Sequence, residues 1–322
     1  MMNKQSLIKM SAIAALVMLS PLTWAGDKID ETRNTTANGD VFIDVMNGKV
    51  SIKTWDKNEV KVAGELDDRA EGYTFEVDGD RVVFEVEMPK RGWSGGNWNS
   101  DQGSQLEIWM PMTNSLKFEG VNVDVDVANI VGGVRINTVN GDISAIELSK
   151  RVSLETVNGD VKAENLSGKI RLHTVNGEVE DKNSSGELYI ETVNGDINSN
   201  TSAKEVHLNN VNGDLNVTTK LVNEMDISTV NGDLDLSITL AETGRFVYSS
   251  VGGDADIYFD ADISASFDIE AHAGGDIDND LSSDRAKEQK YGPGEKLRFT
   301  LGSGKADVEI DTVSGDIHLK KK

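Results

Sequence analysis

The six residues ETVNGD occupy Glu155 to Asp160 and return unchanged at Glu191 to Asp196. Close variants, NTVNGD, HTVNGE, NNVNGD and STVNGD, place the same phrase at four further points. Its asparagines are Asn140, Asn158, Asn176, Asn194, Asn212 and Asn231, so the step is 18 residues four times and then 19. A short fixed period is the mark of a solenoid, in which each unit buries its apolar side only by stacking on its neighbours.

Aligning the units exposes columns. Six positions before the Asn stand Val134, Val152, Ile170, Leu188, Val206 and Met225; three after it stand Ile143, Val161, Val179, Ile197, Leu215 and Leu234. Every member is apolar, and polar residues alternate with them, as in Val134-Arg135-Ile136. Period-two alternation describes a strand with one face inward. The Asn-Gly pair turns the chain, and a looser Ser-Gly turn, such as Ser167-Gly168, closes the circuit. Eighteen residues are too few for a strand–helix–strand unit, which takes about 30. The reading is therefore all-β: a single-stranded parallel β-helix (β-solenoid) with 18-residue coils stacked about 4.8 Å apart. A meander of hairpins is the rival, because Asn-Gly is also a hairpin turn. It does not require the same residue type to return every 18 positions.

Parity extends the argument to side chains. Continued through the turn, it places the asparagines inward at a corner, where their amides form a structural ladder along the stack. It also places the Thr column (Thr138, Thr156, Thr174, Thr192, Asn210 and Thr229) inward. The acidic column Asp142, Asp160, Glu178, Asp196, Asp214 and Asp233 faces out. There each acid caps its own turn, or neighbouring carboxylates hold a divalent cation through hard oxygen ligands. The glycine-rich nonapeptide of calcium-binding β-rolls is absent, and no other cofactor is implied. Val139, Val157, Val175, Val193, Val211 and Val230 form either an outward apolar stripe or, if the corner turns them, part of the core.

The ends are less regular. Residues 1–25 carry Lys4 and Lys9, an apolar run ending near Pro21, and the small residues Thr23 and Ala25, the pattern of a secretory signal peptide. Residues 26–120 read as irregular coils and an N-terminal cap, 121–260 as the regular repeats, and 261–322 as irregular coils with a polar excursion. That excursion is a loop, or a short helix over Leu281–Lys290, and the tail HLKKK ends the stack. The chain has 55 acidic and 32 basic residues and no cysteine. A surface so acidic argues against nucleic-acid partners, and an exported chain without disulfides depends on its core and backbone ladder.

The segments NGKVSIKTWDKNEVKV, LEIWMPMTNSLKFEGVNVDVDV, the TVNGD coils and KADVEIDTVSGDIHLKK resemble the bacterial putative-adhesin family of β-strand-repeat envelope proteins, a family of unknown function. The resemblance implies a β-helix in the cell envelope and, with the usual crossover hand, right-handed winding. It supplies no catalytic residues.

Functional candidates are few. Trp93 and Trp98 sit in RGWSGGNWNSDQGS, where an exposed indole can stack on a sugar or a protein partner. His173 lies in register between Glu155 and Glu191 and is a candidate for pH response. His207, His272 and His318 share no register, so no metal cluster emerges. The expected function is an exported, non-catalytic binding or structural module, an adhesin in the periplasm or on the cell surface. Its partners would be envelope or extracellular proteins or glycans. The alternative is a polysaccharide-active enzyme on the same fold, which needs acids converging on one groove.

Overall fold

A computed structural model of the protein describes residues 27–89, 103–290 and 292–322. They form 25 strands in one hydrogen-bonded sheet and no helix. Neighbouring coils pair in parallel at the spacing of the repeat. Val152 lies beside Ile170 and Leu154 beside Leu172, and Ile170 and Leu172 lie in turn beside Leu188 and Ile190. Asn158 and Asn176 are direct neighbours in a parallel bridge. The meander is excluded for these coils; antiparallel pairs occur only in the end layers.

Each regular coil has two legs. In one coil these are Ser167–Asn176 before the Asn-Gly corner and Val179–Lys182 after it. The second turn uses left-handed backbone at Glu147, Asn165 and Asn183, again 18 residues apart, followed by the positive-φ glycines Gly168 and Gly186. Asn adopts that conformation at low cost, and Gly at none. Between the legs lie the aliphatic columns, all buried. At the Asn-Gly corner the coils approach so closely that a Cβ on Gly159 or Gly177 would sit 2.1 or 2.0 Å from the carbonyl oxygen of the glycine one coil below. Stacking itself thus demands the Gly column.

Both ends depart from chain order. At the N-terminal end the bent strand Asp40–Trp55 lies between Ser115–Ala128 on one side and Arg81–Glu87 with Ser104–Pro111 on the other. Antiparallel strands Gly72–Asp78, Glu59–Glu65 and Lys28–Asn34 cover the outside. At the C-terminal end the chain runs outward to Ala265–Ala271 and Ile277–Asn279 and caps itself with antiparallel Glu295–Thr300. It then returns to insert Ala306–Thr312 and Ile317–Lys321 beneath them.

Two expectations are corrected here. The HLKKK tail does not end the stack, because Ile317–Leu319 is paired on both sides, with Ala255–Ile257 and Ile277–Asn279, and only Lys320 and Lys321 keep one edge open. Of the two readings of the excursion after Asp278, the loop stands over 280–286 and the helix does not: among the described residues there is none, and Lys287–Glu288 and Glu295–Thr300 pair as strands. An end coil has no neighbour to cover it, so a cap strand there satisfies more backbone groups than a lone helical turn. Aromatics fill the same layers: Phe267 stacks on Phe299 at 4.4 Å, and Phe259 meets Phe267 edge-on at 5.5 Å.

Candidate functional site

The repeated phrase forms one continuous corner. Thr156, Thr174 and Thr192 point inward and are buried, and the hydroxyls of Thr156 and Thr174 donate to the carbonyls of Gly141 and Gly159. The next two residues both face out. Val139, Val157, Val211 and Val230 are each about two-fifths exposed (41, 39, 37 and 38%), and Val251 and Val313 continue the row. The ambiguity over the Val column is thereby resolved outward.

The inward placement of Asn is corrected. Asn158, Asn176, Asn194, Asn212 and Asn231 are exposed and Asn140 is half-buried. The turn at Gly breaks the alternation, so Val and Asn occupy successive outer positions on the convex side. The amides still stack. Each Nδ2 donates to the Oδ1 one coil below: Asn231 to Asn212 at 3.1 Å, Asn212 to Asn194 and Asn194 to Asn176 at 3.0 Å, Asn176 to Asn158 at 2.8 Å, and Asn158 to Asn140 at 2.7 Å. The run extends past the repeat through Asn122 to Asn47. Asn122 escaped the sequence reading because Val123 replaces the glycine, and Asn47 because it lies 75 residues away.

All the ladder amides point the same way, so their dipoles add. At the donor end the Asn47 amide faces the buried carboxylate of Asp67 at 3.4 Å. Burial pushes that carboxyl up, but the Arg69 guanidinium, the Arg69 N–H and the Asn47 amide together hold it below its usual range.

The acidic column caps between coils rather than within its own turn. Oδ1 of Asp142 accepts the N–H of Asp160 at 2.9 Å, Asp160 accepts from Glu178, Asp196 from Asp214, and Asp214 from Asp233. Asp124, Asp254, Asp316 and Asp276 continue the column at the two ends. At Glu178 the longer side chain reaches out to the Asn198 amide at 2.6 Å. Among the described residues no group of three or more His, Cys, Asp or Glu is placed to hold a metal ion.

Trp93 and Trp98 lie outside the described residues. A second tryptophan pair escaped the sequence reading. Trp55 and Trp109 stack on the outer face with centroids 6.4 Å apart, under Lys57 and Lys61. They stand 54 residues apart, so only strand pairing brings them together. His173 lies in register between Glu155 and Glu191. His207, His272 and His318 pair separately with Asp226, Asp311 and Asp278.

A shallow groove of about 210 Å³ crosses three coils beside Lys162, Glu164, Glu180 and Lys182. Its Glu180 is ion-paired with Lys182, which holds the Glu180 carboxyl below its usual range. Buried Asp181 stands in the inner column between Ala163 and Ser199. Burial pushes its carboxyl up to about 6, against the hydroxyls of Ser184, Ser199 and Thr201. Among the described residues no helix is long and apolar enough to cross a membrane.

Three solved structures align along nearly the whole chain. A putative cell adhesion protein from Clostridium sporogenes is 13% identical, with 92% of this chain and 100% of the other covered and a TM-score of 0.24. A putative lipid binding protein from Parabacteroides distasonis is 12% identical, with 92% and 97% covered and a TM-score of 0.34. A putative adhesin from Bacteroides fragilis is 12% identical, with 91% and 97% covered and a TM-score of 0.28. No curated protein sequence matches. The family model described as Toastrack DUF4097 matches residues 38–320, which takes in every regular coil and all of the end layers but the Lys28–Asn34 strand and the last two residues, and the chain belongs to that family.

Proposed function

We propose that this protein is an exported, non-catalytic binding and structural module of the cell envelope, built as a right-handed parallel β-helix and acting in adhesion. One observation carries the reading: the Val–Asn–acid corner runs over successive coils with most of its apolar row exposed and Val121, Val175 and Val193 half-buried within it. An aliphatic row held in water by a rigid scaffold serves recognition better than stability. The signal-like residues 1–25 support export. Against catalysis, the carboxylates of the corner are spread one per coil and most accept a backbone N–H, and Glu180 of the groove is ion-paired with Lys182.

Cell fractionation, N-terminal sequencing and protease treatment of intact cells test this. The expected result is a mature chain starting at Gly26 in the envelope and cleaved by external protease. Full protection in intact cells would remove adhesion to outside targets, and a cytoplasmic, unprocessed chain would remove the whole reading. Release of reducing ends from polysaccharide would replace it with the enzyme.

A further inference from the structure

We propose that the Val corner docks a cationic amphipathic α-helix of a partner, lying along the axis of the stack. The proposal rests on the binding-module reading and names the chemistry of its partner.

The apolar row starts at Met46, flanked by the pairs Val45–Gly120 and Asn47–Asn122, and runs from Val121 to Val313 over nine coils. Beyond the Asn ladder, one rim is the acidic column from Asp124 to Asp276. The other rim, three positions before the Asn, carries Glu119, Glu155, Glu191, Asp311 and Glu270, with neutral residues and His173 between them. Neither rim holds a Lys or Arg over this span. Glu119 is already paired with Lys117, Asp311 with His272, and Glu270 with Lys296 and Arg298, which among the described residues leaves Glu155 and Glu191 without a salt bridge on that rim. The nearest cations lie one column farther out: Lys117, Arg171 and His207 are engaged with Glu119, Tyr189 and Asp226, while Arg135 and, beyond the acidic column, Lys162 are exposed.

An apolar row with one continuous acidic rim, and a second rim of acids and neutral residues, calls for an apolar row flanked by basic ones. A strand offers one row per face. A helix offers three adjacent rows, apolar in the middle with charged flanks. Its turn of about 5.4 Å runs close to the coil step of about 4.8 Å, so apolar side chains meet valines for several turns. The row from Val121 to Val313 is about 38 Å long, enough for a helix of about 26 residues. A second copy of the chain fits badly, because it would set acidic rims against acidic rims on molecules of net charge −23.

The test uses the purified exported chain and a labelled 26-residue Leu/Lys peptide with all Leu on one helical face, followed by fluorescence anisotropy. Controls are a scrambled peptide of equal composition and a Leu/Glu counterpart. The variant Val157→Thr/Val211→Thr/Val230→Thr keeps side-chain shape and strand propensity. The variant Asp160→Asn/Asp214→Asn keeps the Oδ1 acceptor for the next coil while removing charge. The amphipathic Leu/Lys peptide is expected to bind, with each variant about tenfold weaker and melting temperatures unchanged. Equal binding of the scrambled peptide would reduce the effect to general attraction between charges and overturn the proposal. So would unchanged binding by either variant, or self-association in the ultracentrifuge that the Val→Thr changes abolish. An envelope-located chain that ignores the peptide removes the docking proposal alone. A cytoplasmic chain that binds it removes the envelope reading alone.

Discussion

Among single residues, Asp181 is the clearest conflict between position and chemistry. The inner column holds Ala145, Ala163, Ser199 and Val217 around it, and only the Asp can ionise. Its folded pKa of about 6 lies above the ordinary 3.8, so the fold favours the protonated form. The contribution to stability is therefore greatest at low pH. It falls as pH rises from about 4 to about 6 and stays low above that, a loss of about 3 kcal/mol. Asp181→Asn keeps an oxygen to accept from Ser199 Oγ, now at 3.0 Å. Urea unfolding at pH 8 should find the variant about 2–3 kcal/mol more stable than the parent, and at pH 4 the two should converge. A difference independent of pH would place the effect in packing rather than ionisation. The position was legible as an inner one from the 18-residue register alone; the depth of its burial was not.

The repeating element depends on the glycine at its corner more than on its asparagine. The Asn ladder is exposed, so each amide bond contributes about 0.5–1.5 kcal/mol against water. Between the regular coils the glycine has no substitute; Val123 stands in its place only where the stack meets the N-terminal layer, opposite Gly48. A methyl at Gly177 would press on the Gly159 carbonyl, which is backbone and cannot turn aside. Gly177→Ala should lower stability by about 2–3 kcal/mol. Gly79→Ala, at a hairpin with positive φ and open space, should lose about 1 kcal/mol from backbone strain alone. Thermal melts of the two variants compare them, and equal losses would count against close stacking as the cause. Strand alternation could be read directly because it is local and periodic. The outward pairing of Val with Asn could not, because parity holds along a strand and fails where the chain turns.

Over the whole molecule, the clasped ends change what a terminus means. An ordinary C-terminal strand frays because one edge is free. Here Ile317–Leu319 is held on both sides. Its amides should therefore exchange with deuterium as slowly as those of Ala255–Ile257, while Lys287–Glu288, paired on one side over two residues, should exchange fast. Rapid exchange across 317–319 would mean the inserted layer opens on its own. This arrangement also leaves short antiparallel strands, rather than a long parallel edge, at each end of the stack, which discourages end-to-end growth.

The sequence by itself determined the all-β class, the 18-residue step and the membership of the aliphatic, Thr and acidic columns. Each follows from local alternation and from the need of every coil to match the next. The tertiary structure alone decided which way the corner residues face, how the ladder reaches Asn122 and Asn47, and the order of layers at the ends. Those depend on backbone approach and on hydrogen bonds between strands far apart in the chain, and neither leaves a periodic trace in the residues.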